Sequence, residues 1–313
     1  MSILALDIGA TKIAIALLDS QLNIHKRAIV ASQGTQDLAK DLKGALQSFV
    51  HDEITHIGVA AAGPINVVQG TISPVNIVQW RSFPIAQFLQ EIFPGRSVAL
   101  LGDCTALALA EYTVGAGVGH RHMLGVVVST GIGGGLVIDG KVHQGESGNA
   151  ALIGHHTISF DSPRLCECGR RGCLEEFARG PKMVEAAISQ GWRGGNDFQA
   201  LAQSATNNDP LAIKAIDDGA RALASGLINA MMIADVHTVV IGGGVSFAGD
   251  IYLNPLRAYI REQAALTGFL GDITILAAHL GQDSGVIGAA IYAKTNSGLL
   301  MTNDNLHAFR DRI

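Results

Sequence analysis

The sequence predicts an α/β protein of two lobes with a cleft between them, on three observations. A chain of 313 residues is longer than one hydrophobic core comfortably serves. Short apolar strands alternate with segments of helical periodicity. A strand, a glycine turn and a second strand occur twice, near the start of the chain and again over residues 123–138, so the two lobes read as related folds.

Residues 3–7 form an apolar run ending in Asp7, Gly9-Ala10-Thr11-Lys12 supplies a turn, and 13–18 is apolar again, the pattern of a strand hairpin. Over 37–50 the apolar residues Leu38, Leu42, Ala45, Leu46 and Phe49 recur at helical spacing. Residues 57–62 read as a strand running into Gly63-Pro64. Residues 98–101 read as another, which stops at Gly102-Asp103 before an alanine-rich helix over 105–112. A glycine-rich linker over 115–119 precedes the second hairpin: strand 123–128, turn Ser129-Thr130-Gly131-Ile132-Gly133-Gly134-Gly135, strand 136–138. Helices are expected over 181–190, 198–203 and 210–234, and a strand over 238–241 enters Gly242-Gly243-Gly244. The tail from about Thr295 is polar and weakly periodic and is expected to be partly loose. The first lobe is expected over 1–118, completed by a C-terminal helix near 285–313, and the second over 119–284.

The net charge is -5 with no run of Lys or Arg, which argues against nucleic acid and for small-molecule partners. No uninterrupted apolar stretch is long enough for a membrane span. The N-terminus carries neither a basic leader nor a cleavage site, so the expected compartment is the cytoplasm.

Three of the four cysteines, Cys166, Cys168 and Cys173, lie within eight residues, with His155 and His156 upstream. Three thiolates and one imidazole close the tetrahedral set that a structural Zn²⁺ takes. The Cys-x-Cys pair is too tight for an ordinary disulfide, and Gly169 and Gly172 offer turns that wrap backbone around an ion. The alternative is three unrelated thiols.

A glycine turn between strands lets backbone N–H groups approach a phosphate, and the Thr11 hydroxyl and Lys12 ammonium add a donor and a charge. Asp7 then stands where a hydrated Mg²⁺ could be held. The bland reading of this turn is an ordinary hairpin. The second turn, with Thr130, Gly131, Gly133 and Gly134, is a second phosphate candidate, so two such turns would clamp a phosphate chain. Gly243 and Gly244 offer bare backbone to an adenine or ribose, or form a plain helix entry. Asp103 ends a strand and begins a helix, the position where α/β sheets place ligands. A carboxylate there can deprotonate a sugar hydroxyl for attack on a γ-phosphate, or cap the helix.

Taken together, Asp7-Ile8-Gly9-Ala10-Thr11-Lys12, Gly102-Asp103, the turn over 129–135, Ile153-Gly154-His155 with Cys166-x-Cys168-Gly-x-x-Gly-Cys173-x-Glu175, and the glycines ending at Gly244 resemble the ROK (repressor, open reading frame, kinase) family. The resemblance implies the two-lobed actin and hexokinase fold, which is ribonuclease H-like, with ATP, Mg²⁺ and a structural Zn²⁺. It also implies an ATP-dependent sugar kinase that works as a homodimer. Asp103 would be the base, Gly63, Asn76 and Glu175 would lie at the sugar, and the motif histidine would both ligate zinc and face the sugar. The segments Ser73-Pro74-Val75-Asn76 and Gln282-Asp283-Ser284-Gly285 look like those of bacterial N-acetylmannosamine kinases. That implies 6-phosphorylation of N-acetylmannosamine in sialic acid catabolism. A glucokinase, a fructokinase or a non-catalytic sugar-binding relative are the alternatives. Repressors of the family carry a DNA-binding segment before the first phosphate turn, whereas six residues precede Asp7 here.

The chain departs from the family pattern at four places. Ala10 stands for the second glycine of the first turn. Gly102 stands for the Asn before the catalytic Asp, and Leu152 for a Glu or His at the sugar. The fourth concerns the metal: counting forward from Gly148 makes the motif imidazole His155, and counting back from Cys166 makes it His156. An insertion is absorbed more easily in the loop 157–165 than in the turn before Gly154, which favours His155 and leaves His156 at the surface or behind the ligands.

Overall fold

The computed structural model describes residues 2–50 and 53–296, so the expected tail and helix beyond residue 296 lie outside the described residues. In chain order the first elements are β1 (Ser2–Ile8), β2 (Lys12–Leu18), β3 (Ile24–Ala31), α1 (Leu38–Leu46) and β4 (Ile54–Ala61). Two short strands follow, β5 (Ile65–Asn66) and β6 (Thr71–Ile72), then α2 (Ile85–Ile92), β7 (Ser97–Gly102) and α3 (Asp103–Val114). Next come β8 (Met123–Val128), β9 (Ile132–Ile138), β10 (Lys141–His143), α4 (Glu175–Ala178), α5 (Gly180–Ser189), α6 (Phe198–Thr206) and α7 (Pro210–Ala234). The last are β11 (Thr238–Gly242), α8 (Asp250–Thr267), β12 (Thr274–Ala277) and α9 (Ser284–Thr295).

Two five-stranded sheets share one topology. The orders are β3-β2-β1-β4-β7 and β10-β9-β8-β11-β12. In each, the first strand in sequence pairs antiparallel with the second and parallel with the fourth, as β1 does with β2 and β4 and β8 with β9 and β11. The repeat seen in the sequence is therefore a repeat of fold. The chain packs as two units, residues 2–110, 142–150 and 282–296 in one and 111–141 and 151–281 in the other.

In the first unit β1 runs apolar from Ile3 to Leu6 and again at Ile8 because both faces of its sheet are covered. Successive side chains alternate faces. Leu4, Leu6 and Ile8 enter a core with Leu42, Phe49 and Trp80, whereas Ile3 and Ala5 enter another with Ala106, Val286 and Ala289. The second core is built from small residues because α9 approaches closely: a Cβ on Gly58 would lie 2.1 Å from the Ala289 carbonyl oxygen, and one on Gly288 2.0 Å from that of Ala106. In the second unit Leu223, Leu227 and Met231 of α7 join Val126, Ile241 and Tyr252 in one core. The start of α7 is set by Asp209, whose side chain accepts from the N–H groups of Leu211 and Ala212, with Pro210 at the first helical position.

Several elements were not legible in the sequence, among them β3, β12, α2 and α8. β3 is an edge strand with His25, Lys26 and Arg27 in its first half, the charge that blunts an exposed edge and hides the strand pattern. β12 is half-buried along its length. α2 begins directly after Pro84, and α8 carries Pro255 inside the helix. Among the described residues no helix is long and apolar enough to cross a membrane.

Candidate functional site

In the first unit the turn between β1 and β2 has its carbonyls bonded away. Ser32 N–H donates to the Thr11 carbonyl at 3.0 Å, the Ser32 hydroxyl to that of Gly9 at 2.9 Å, and Gln33 Nε2 to that of Ala10 at 3.1 Å. A turn whose carbonyls face the fold presents its remaining N–H groups to an anion. Ala10 does not change this, because a Cβ leaves its N–H in place. Lys12 Nζ donates to Gln282 Oε1 at 2.9 Å, and the Arg27 guanidinium grips Asp283 through two bonds of 2.6 and 2.8 Å. The Gln282-Asp283 pair thus ties the entry of α9 to β2 and β3.

Asp7, in β1, and Asp103, the first residue of α3 after β7, lie within electrostatic reach of each other. Burial raises the Asp7 carboxyl to about 7; the Asp103 charge raises it too, and Lys12 opposes both. Asp103 is likewise raised, chiefly by burial, and is opposed by the Cys104 N–H, which donates to its Oδ1 at 2.7 Å. An aspartate with raised proton affinity is a stronger base, and a pair of acids beside a glycine turn can hold a divalent ion. The Asp103 carboxylate thus satisfies one of the free N–H groups at the head of α3.

In the second unit the glycine turn is shorter than its sequence suggests. It spans 129–131, and β9 begins at Ile132. Gly133 and Gly134, read as turn residues, are instead strand residues paired with Val127 and Val126. The reason is packing: a Cβ on Gly134 would lie 2.8 Å from the Ala151 carbonyl oxygen. The three turn carbonyls are again taken, Gly131 by Ser129 N–H at 2.9 Å, Ser129 by Gly180 N–H at 3.0 Å, and Thr130 by Arg179 Nη1 at 3.3 Å. Gly243 seats the third glycine cluster here. It has φ +88, and a Cβ would meet the Val128 carbonyl oxygen at 2.5 Å, so only glycine is tolerated. Gly244 lies against Ser129, so the glycine turn after β8 and the glycine cluster after β11 meet at one place.

The cysteine hairpin brings His155, Cys166, Cys168 and Cys173 together, with one donor atom from each within 4.8 Å of the others. Tetrahedral zinc with bonds of about 2.3 Å to sulfur and about 2.0 Å to nitrogen needs edges of about 3.8 Å between sulfurs and about 3.5 Å from sulfur to nitrogen. The Cys168–Cys173 sulfurs are 3.6 Å apart, and His155 Nδ1 is 3.5 Å from Cys166 Sγ. The donor set fits the ion. Of the two candidate histidines, His156 is turned away: its Nε2 is buried against α7, where a Cβ on Gly226 would be 3.0 Å from it, and lacks a hydrogen-bond partner. The hairpin is closed by Cys166 N–H to the Arg170 carbonyl at 2.8 Å and by Arg170 reaching the His155 carbonyl at 3.1 Å.

Glu175, nearly buried, sets Oε1 3.3 Å from His155 Nδ1 and 3.2 Å from Cys166 Sγ, and its Oε2 accepts from Ile132 N–H at 3.4 Å. Of the remaining sugar candidates, Gly63 lies near Asn149, whose side chain bonds both the N–H and the carbonyl of Ile65. Asn76 is exposed on a loop that Arg81 clasps through the carbonyls of Ser73, Pro74 and Val75. Leu152 is 46% exposed at the start of the 3-10 turn Ile153–His155. Sequence reasoning passed over Arg179 and the contact of Gly285 with Asp7; the similarity noted around 282–285 was the only signal near the latter.

Paired sheets of ribonuclease H-like topology, each with an anion-ready turn, and buried acids at the strand ends define a sugar kinase of the actin-like fold, an ATP-dependent phosphotransferase. The sequence matches the ROK family over residues 3–296, and the chain belongs to that family. It is 35% identical to an N-acetylmannosamine kinase of Yersinia pestis (strain Pestoides F) over 296 residues, 94% of this chain and 98% of that protein. A glucokinase of Streptomyces coelicolor is 30% identical over 309 residues, 93% of this chain and 97% of its own length. The crystal structure of a ROK glucokinase from Streptomyces griseus in complex with glucose and AMPPNP superposes with a TM-score of 0.81 at 29% identity, covering 95% of this chain and all of that one.

Proposed function

We propose that this kinase transfers the γ-phosphate of ATP to the 6-hydroxyl of N-acetylmannosamine, a step of sialic acid catabolism. The observation that carries the chemistry is Asp103, held at the head of α3 with its proton affinity raised by burial and in reach of Asp7. Asp103 takes the proton of the sugar 6-hydroxyl as its oxygen attacks phosphorus, and the ADP β-phosphate oxygen leaves. The turns at Gly9–Lys12 and over 129–131 hold the phosphates through backbone N–H groups, and the Gly243-Gly244 backbone receives the adenosine. Asp7 is the residue that would hold Mg²⁺, which when bound offsets the charge developing on the transferred phosphoryl group. Gly63, Asn76, His155 and Glu175 contact the sugar, and His155, Cys166, Cys168 and Cys173 would hold the structural Zn²⁺.

The choice of sugar is supported by the relative of highest identity among those named, and by the Pro74-Val75-Asn76 spacing. Glucose is the second reading, supported by the glucokinase matches. The chain is read as a cytoplasmic homodimer; the outer side of α7, where Ile233 is 88% exposed, supplies apolar surface for a second copy. A coupled assay of ADP release with N-acetylmannosamine, glucose and fructose decides the reading. The highest kcat/KM is expected with N-acetylmannosamine. A preference for glucose would move the chain to the glucokinases, and no turnover with any of them would overturn the kinase reading itself.

A further inference from the structure

Both ends of the metal set lead into the second glycine turn. The segment that follows the last metal cysteine, Cys173, runs directly beneath it, and three of its residues hold the turn at successive points. Glu175 Oε2 accepts from Ile132 N–H at 3.4 Å, Arg179 Nη1 donates to the Thr130 carbonyl at 3.3 Å, and Gly180 N–H donates to the Ser129 carbonyl at 3.0 Å. Two of these residues also reach back to the hairpin. The other carboxylate oxygen of Glu175 lies 3.2 Å from Cys166 Sγ, and Arg179 Nη1 lies 3.4 Å from Glu167, the residue between Cys166 and Cys168. At the other end of the set, the 3-10 turn carrying His155 is seated on the same place, because a Cβ on Gly154 would fall 2.1 Å from the Ile132 carbonyl oxygen. Arg179 is fixed further by Glu176, whose Oε1 accepts from its Nη2 at 3.1 Å, and both side chains are largely buried.

We propose that Arg179 and Glu175 are positioning residues that transmit metal occupancy to the turn over 129–131 and the start of β9, so that loading the cysteine hairpin orders a nucleotide-binding element and not only a sugar contact. This rests on the reading of that turn as a phosphate site and of the hairpin as a zinc site. Side chains that bond two elements at once hold each only while the other is ordered, and coupling of this kind is reciprocal. Arg179 is the more informative of the two, since its side chain bonds Thr130, Glu167 and Glu176, none of them a metal donor or a proposed sugar contact.

Amide hydrogen exchange on the full chain, zinc-loaded and chelator-stripped, reads the coupling without any turnover. Stripping is expected to speed exchange several-fold in peptides covering 129–135, alongside those covering 157–173. Arg179→Met, loaded with its full zinc content, is expected to show the faster exchange over 129–135 already, with Arg179→Lys between it and the wild type. Turn peptides that exchange alike in the loaded and stripped chains while the hairpin speeds up overturn the proposal. So does an Arg179→Met chain whose turn is as protected as the wild type, an outcome that stays decisive if stripping unfolds the whole unit. ADP affinity by calorimetry is expected to fall on stripping and in Arg179→Met. Failure of the loaded wild type to bind ADP counts against the phosphate-site reading, and the exchange data still decide the coupling.

Discussion

Gly285 stands against Asp7. A Cβ on Gly285 would lie 2.2 Å from Asp7 Oδ2 and 2.4 Å from its carboxyl carbon, so the second residue of α9 is glycine because the acid at the end of β1 fills the space. The acid cannot retreat far, since Ile8 and Leu6 on either side are locked in a core.

Gly285→Ala is therefore expected to push the Asp7 carboxylate from its place, at a stability cost of about 1–3 kcal/mol for overpacking. The change should lower magnesium-dependent nucleotide affinity and leave zinc content intact. Thermal melting and calorimetry with ADP and magnesium check the two halves.

Asp103→Asn keeps the shape of the residue and its bond from Cys104 N–H but removes the base. Turnover is expected to fall by about 10²–10⁴-fold with unchanged zinc content and melting temperature. Undiminished kcat would remove Asp103 from the role of base.

The pH dependence follows from Asp7. Its proton affinity is raised from 3.8 to about 7 in the folded chain by burial and by Asp103, so the folded state binds the proton more tightly than the unfolded state does. Its contribution to stability is complete at low pH and is lost as the pH rises through about 7. The ligand-free wild type should thus lose more stability than Asp7→Asn between about pH 5 and about pH 8. Magnesium needs the ionised carboxylate, so its stabilising effect in the wild type should grow over the same range. Denaturant melts with and without magnesium measure both.

His155→Ala should abolish stoichiometric zinc binding, whereas His156→Ala should retain it, because only His155 Nδ1 faces the sulfurs. Metal analysis of the two purified variants reads this directly. Zinc lost equally from both would assign a ligand role to His156.

Gly102 leaves room that the usual asparagine would occupy, since a Cβ there meets nothing closer than Thr105 Oγ1 at 3.5 Å. Gly102→Asn is expected to lower the KM for the sugar by an amount equivalent to one hydrogen bond, about 0.5–1.5 kcal/mol. Steady-state kinetics with N-acetylmannosamine test it, and a raised KM would argue against a sugar contact at this position.

Much of the site was legible because its residues are close in sequence. The spacing of Cys166, Cys168 and Cys173 foretold that their sulfurs converge, since a short hairpin delivers donors within the few ångströms that a tetrahedral ion needs. The two strand–glycine–strand patterns likewise foretold the two related sheets. The extent of the second turn was misjudged, because glycine marks both turns and close approaches. Only the Ala151 carbonyl pressed on Gly134 tells which applies.

The sequence by itself determined the fold class, the family, the cysteine set and the acids at strand ends, all of which follow from local periodicity or short spacing. The tertiary structure alone decided which histidine meets the sulfurs, why Gly285 must be glycine, and that Arg179 joins the cysteine hairpin to the second turn. Those relationships join residues far apart in the chain, or turn on which way a side chain points. Burial, backbone approach and charge around each position settle them, and a linear sequence does not specify those before the fold is complete.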